Sequence, residues 1–248
     1  MQMTGNTILI TGGGSGIGEA LAHRFHDLGN TVIIAGRRLD ALEAAIGERD
    51  NMHAMVFDVE NKDGITEFAH RVIGQFPALN VVVNNAGIMR FEPLDQPRDL
   101  ADAEATVTTN LLGPIRLINA LTEHLIAQQN AALINVTSGL AFVPLVSTPT
   151  YSATKAALHS YTQSLRAALA GKVEVIELAP PAVQTDLTPG QSTREGYLPL
   201  KDYINEVMAL FAVKPTPAEI LVERVGFLRN AEAENRFEKT FTMLNSAH

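Results

Sequence analysis

The sequence predicts an α/β fold: a single domain on a doubly wound parallel sheet, three layers deep, with helices on both faces. Three observations predict it. Short β-branched runs alternate with longer segments of helical spacing along most of the 248 residues. Several of the short runs are apolar at consecutive positions, as strands covered on both faces must be. A hydrophobic content of 46% is ample for a packed core of this size.

The strand-like runs lie at 7–11, 31–35, 52–57, 79–84, 131–137 and 173–178. After the first, Ile17, Leu21, Phe25 and Leu28 form the stripe of an amphipathic helix. Further helices are expected at 39–48, 62–75, 100–129 and 150–170, the third of these long enough to carry Leu112, Ile115, Leu117, Ile118 and Leu121. Such alternation implies right-handed crossovers between parallel strands. Residues 1–178 thus read as a core. Residues 179–217 hold six prolines in a polar stretch and read as a covering loop; 218–248 read as a helical tail whose charges form a solvated face. No seventh strand is legible.

Composition removes several classes of function. No cysteine is present, which excludes disulfides, thiolate metal sites and cysteine nucleophiles, and fits a reducing, cytoplasmic setting. A net charge of −8 without a basic patch argues against nucleic acid. No apolar run approaches the roughly 20 residues of a membrane span. The first eleven residues lack a basic n-region and run into a strand, so they do not read as a signal peptide. His23 and His26 share a helix face without a third ligand, so no metal site is expected.

The first strand runs into Thr11-Gly12-Gly13-Gly14-Ser15-Gly16-Ile17-Gly18 and then a helix. Glycines there let the backbone turn sharply and approach a diphosphate, which the free N–H groups of the helix start favour. A kinase-type phosphate loop fails, because Glu19 and Ala20 stand where Lys and Ser/Thr are required. The second strand ends in Ala35-Gly36-Arg37-Arg38, with no acid for a free ribose hydroxyl and two guanidiniums suited to a 2′-phosphate. This favours NADP(H) over NAD(H) and a Rossmann-type cofactor fold.

At these residues the sequence resembles the short-chain dehydrogenase/reductase family over almost its whole length. Thr11-Gly12-x-x-x-Gly16-x-Gly18, Asn84-Asn85-Ala86-Gly87 and Tyr151-x-x-x-Lys155 match its motifs in order, with Ser138 thirteen positions before Tyr151 and Asn110 in the preceding helix. The resemblance implies catalysis by Asn110, Ser138, Tyr151 and Lys155. It implies cofactor binding by Gly12, Gly14, Ser15, Gly16, Ile17, Gly18, Arg37, Arg38, Asp58, Val59, Asn85, Ala86, Gly87, Tyr151, Lys155, Pro181, Val183 and Thr185. Asp58 falls where the family binds the adenine amino group, and Thr185 where it holds the carboxamide. Pro180-Pro181 replaces the usual Pro-Gly and resembles a Dlt-type oxidoreductase branch; Ser15 stands where many NADP-using members carry a base. Members are usually dimers or tetramers; with no seventh strand legible, a dimer is expected here and a tetramer is in doubt.

The chemistry follows from these residue types. Hydride transfer to a carbonyl carbon needs a proton donor at its oxygen. Lys155, one turn from Tyr151, is expected to lower the phenol's pKa, and Ser138 to hold the substrate oxygen. Asn110 alone could equally cap or bend its helix; holding a water on a proton path is what the resemblance implies. Leu140, Phe142, Leu145 and Leu187 either pack beneath the covering loop or line a pocket for a carbonyl or secondary alcohol with an apolar body. The alternatives are a non-catalytic NADP sensor, which would have no need of an intact Ser–Tyr–Lys set, and a nucleotide-sugar epimerase or dehydratase, which wants a larger C-terminal region.

Overall fold

The computed structural model describes residues 1–246. Strands β1 (Thr7–Thr11), β2 (Thr31–Gly36), β3 (Met52–Val56), β4 (Leu79–Asn84), β5 (Ala132–Val136), β6 (Glu174–Leu178) and β7 (Glu219–Ile220) form one sheet in the order β3-β2-β1-β4-β5-β6-β7. All pairings are parallel. The seventh strand, not legible in the sequence, exists as two residues on β6, which removes the ground for doubting a tetramer.

Alternate residues of each central strand enter different cores. Ile8, Ile10, Val32, Ile34, Val81 and Val83 pack with α1 (Gly16–Asp27) and α7 (Leu200–Ala212). Leu9, Ile33, Val82 and Leu133 pack with α3 (Gly64–Gln75) and α5 (Gly113–Ala127). This two-sided burial is why the central strands carry apolar residues at consecutive positions, such as Val81, Val82 and Val83. The remaining helices are α2 (Leu39–Ile46), α4 (Ala101–Val107), α6 (Pro149–Ala168), α8 (Gly226–Arg229) and α9 (Phe237–Ser246).

Several expectations change. The covering segment 179–217 is only partly loop, because α7 lies within it and buries Tyr203, Val207 and Phe211 against the sheet. The tail opens with β7 and breaks into short helices; its last two residues lie outside those described. The long helix at 100–129 is interrupted by a π-helical turn at Thr108–Leu112. Leu28, expected on the buried stripe of α1, caps that helix in the open at 41% exposure.

Sheet order reverses between β1 and β4, whose carboxyl ends diverge toward helices on different faces. A crevice opens at such a point.

Candidate active site

The glycine turn fills this crevice from one side. Gly12 (φ +66°) and Gly16 (φ +57°) take left-handed conformations that favour glycine. A Cβ on Gly18 would lie 2.3 Å from the Gly12 carbonyl oxygen, so no side chain fits there. The turn is tied to β4 by its neighbours. Backbone N–H groups of Asn85 and Ala86 both donate to Thr11 Oγ1 at 3.1 Å, and Asn85 Nδ2 donates to the carbonyls of Thr11 (3.0 Å) and Gly12 (3.2 Å). The sequence presents Thr11 only as part of the motif, yet its hydroxyl holds the two signatures together.

Two hollows flank this turn. One of about 140 Å³ is lined by Thr11, Gly12, Gly36, Arg37, Val59, Ala86 and Gly87, among others. The other, about 320 Å³, is lined by Gly12, Gly14, Ser15, Gly36, Arg37, Arg38, Ala41 and Leu42. Arg37 lines both and stands 3.6 Å from Glu60, an exposed pair that is weak in water. The glycine cradle, with its close backbone approach, fits the diphosphate of a dinucleotide. Gly16 and Thr185 are adjacent, since a Cβ on the glycine would lie 3.5 Å from Thr185. Ile17 packs partly on the core, and Val183 is buried in a bridge to Leu198. Asp58 does not line either hollow. It is exposed, and its carboxylate accepts the Glu60 N–H at 3.0 Å.

Ser138, Tyr151 and Lys155 lie beside these hollows. Ser138 follows β5 and caps a short turn, its Oγ accepting the Leu140 N–H at 3.1 Å. Tyr151 and Lys155 lie one turn apart on α6, with Lys155 Nζ 5.6 Å from the centre of the phenol ring. Lys155 is buried and donates to the Val136 carbonyl at 2.8 Å. Burial pushes the Tyr151 phenol up to about 12, against the opposing pull of a hydrogen bond with Ser138. It also brings the Lys155 ammonium down to about 8. Burial thus works against the lowering expected of the lysine, and the net direction for the phenol is upward.

Asn110 sits at the π turn, fully buried. Its Oδ1 accepts the Ile88 N–H at 2.9 Å and its Nδ2 donates to the Ile88 carbonyl at 2.8 Å. The side chain thus fixes the segment after Gly87, and a Cβ on Gly87 would lie 3.3 Å from Asn110 Oδ1. A π turn is a usual device for aiming one side chain at a functional site.

A third cavity, about 160 Å³, opens at Ser138 and Tyr151. Leu140 and Leu145 line it, and so do Pro181, assigned from the sequence to the cofactor, Tyr197 of the covering segment, and Met89, Gln191, Leu228 and Leu244, which sequence reasoning does not assign to it. Phe142 and Leu187 do not line it. Phe142 turns toward α6, where its ring meets His159 edge-on at 5.0 Å and the Arg229 guanidinium lies 4.9 Å away. Leu187 faces solvent at 36% exposure.

Among the described residues, one group could hold a metal: His159, Glu177 and Glu219. Its side chains are already engaged with one another and with Arg229. Arg229 forks onto Glu219 at 2.8 and 3.1 Å, and His159 Nδ1 stands 2.7 Å from Glu177. We read it as a structural ion network.

Comparison with known proteins agrees with this geometry. The family described as short chain dehydrogenase matches residues 6–196. An uncharacterized oxidoreductase of Bacillus subtilis (strain 168), DltE, is 38% identical over 253 residues, covering 99% of each chain. A short chain dehydrogenase from Burkholderia cenocepacia J2315 in complex with NADP shares the fold, with TM-score 0.83 and 24% identity over 98% of this chain and 99% of that one. A 3-ketoacyl-(acyl-carrier-protein) reductase from Brucella melitensis, complexed with NADH, gives TM-score 0.78 and 28% identity over 87% and 93%. With the family's match spanning three quarters of the sequence and a full-length relative at this identity, the chain belongs to the short chain dehydrogenase family of oxidoreductases acting on CH–OH and C=O groups.

Proposed function

We propose that the protein is an NADP(H)-dependent carbonyl reductase, reversible in principle, acting on a ketone or aldehyde with an apolar body. The observation that carries the reading is Ser138 and Tyr151 lining the wall of one apolar cavity, with buried Lys155 one turn from the tyrosine. A sensor without catalysis would have no need of that set.

The glycine turn from Gly12 to Gly18 would hold the diphosphate, Arg37 and Arg38 the 2′-phosphate, and Thr185 the carboxamide end. When bound, the dinucleotide supplies or accepts a hydride at C4 of its nicotinamide. Ser138 donates a hydrogen bond to the substrate oxygen and holds it against Tyr151. Tyr151, a neutral phenol at pH 7, gives its proton to that oxygen as the carbonyl carbon is reduced; in the oxidative direction it takes the proton back. Lys155 holds the nicotinamide ribose, and Asn110 keeps the adjoining backbone in place. A cysteine-free chain suits the reducing cytoplasm, and a homo-oligomer is the family's habit.

The cofactor part is tested by NADPH and NADH absorbance assays over ketones, aldehydes and diketones. Arg37→Asp should weaken use of NADPH about tenfold or more, the worth of a charge-assisted contact, while sparing NADH. An unchanged NADPH/NADH ratio would contradict the assignment of Arg37.

A further inference from the structure

The far end of the cavity beside Ser138 and Tyr151 is built by the C-terminal part of the chain, which the sequence presents only as a charged tail. Leu228 on α8 and Leu244 on α9 both line it. Each helix is fastened to the loop that supplies Leu140 and Leu145. On α8, Arg229 forks onto Glu219 of β7 and lies over the ring of Phe142. Gly139 lets this helix close in, since a Cβ there would meet Leu228 Cδ1 at 2.7 Å. On α9, Asn245 Oδ1 accepts the Val146 N–H at 2.7 Å and Nδ2 donates to the Pro144 carbonyl at 3.2 Å.

The chemistry of the cavity is one-sided. Among the described residues, no lysine, arginine, histidine, aspartate or glutamate lines it. The amide of Gln191 is already engaged: Nε2 donates to the Val183 carbonyl and Thr185 Oγ1, and Oε1 accepts from Thr188. A carboxylate or phosphate placed there would be desolvated with hydroxyl groups but no cationic partner to offset its charge, which is unfavourable. The volume, about 160 Å³, is also well below the roughly 300–1,000 Å³ of pockets for drug-sized ligands.

We infer that the C-terminal helices are the size gauge of the substrate site, with Leu228 and Leu244 restricting it to short, uncharged ketones and aldehydes. The inference rests on the reductase reading above and adds the substrate class and the residues that set it. Leu→Ala at either position removes three carbons from the end wall. A misfit of one methylene in an apolar pocket is worth about tenfold or more in kcat/KM.

The experiment measures NADPH-dependent kcat/KM of the full chain on straight-chain methyl ketones from 2-butanone to 2-decanone, and on the matching 2-keto acids. Leu228→Ala and Leu244→Ala are compared with the parent, and retained melting temperature and NADPH fluorescence titration identify the folded variants. The parent should favour the short ketones and discriminate against the acids. At least one folded variant should move the optimum two or three carbons longer and gain about tenfold on the longer ketones. The same chain-length profile in parent and folded variants, or keto acids reduced as well as ketones, overturns the inference and leaves the reductase reading standing. No turnover of any carbonyl by the parent overturns both.

Discussion

Lys155 should be a stability liability at neutral pH, and replacing it by methionine should reveal this. Burial lowers its ammonium from 10.5 to about 8. Moving a pKa by one pH unit corresponds to about 1.4 kcal/mol, so holding the charged form buried costs about 3 kcal/mol at pH 7. The sign follows from proton counting. Between the folded value near 8 and the unfolded value of 10.5 the unfolded chain binds more protons, so stability rises with pH and the burden disappears above that window. Lys155→Met removes the charge but also the hydrogen bond to the Val136 carbonyl, worth about 1 kcal/mol. The variant should therefore be about 2 kcal/mol more stable than the parent at pH 7, with the gain shrinking to about zero near pH 10. Urea unfolding at both pH values, with equal m-values, measures it. A variant less stable at pH 7, or a difference that does not change with pH, would refute the reasoning. The gain in stability should come with loss of reductase activity, as expected where a site keeps an unfavourable buried charge for its chemistry.

Two further outcomes test the frame of the site. Gly18→Ala puts a methyl 2.3 Å from the Gly12 oxygen and 2.4 Å from Asn85 Nδ2, so it should cost about 1–3 kcal/mol and weaken NADPH binding, read by thermal melting and fluorescence titration. Glu92 is buried, pairs with Arg98 at 2.9 Å and accepts hydrogen bonds from the Thr150 N–H and hydroxyl just before Tyr151. Glu92→Ala should destabilise by about 3 kcal/mol in urea titration, because Arg98 then loses its buried partner.

The six longer strands are legible in the sequence to within a residue or so, the central ones because burial on both faces puts apolar residues at consecutive positions. Motifs set by backbone geometry are legible too: Gly12, Gly16 and Gly18 stand where any other residue would strain or clash. β7 is not, since two residues cannot display a period. α7 is hidden by prolines at either end, although Tyr203, Ile204, Val207, Met208 and Phe211 keep helical spacing within it. Phe142 misleads because nothing local shows that Arg229 and His159 wait on its other side. Leu228 and Leu244 carry no motif; only tertiary packing brings them to the cavity. The Tyr151 phenol likewise needs its burial to be known, which the spacing of the lysine does not show.

In the proposed NADPH-dependent carbonyl reduction, Tyr151 supplies the proton. The direct measurement is kcat for Tyr151→Phe on a ketone the parent accepts, alongside NADPH binding. The variant should still bind NADPH, with kcat lower by about 10²–10⁴-fold, the usual worth of a positioned proton donor. Full turnover by the phenylalanine variant would contradict it.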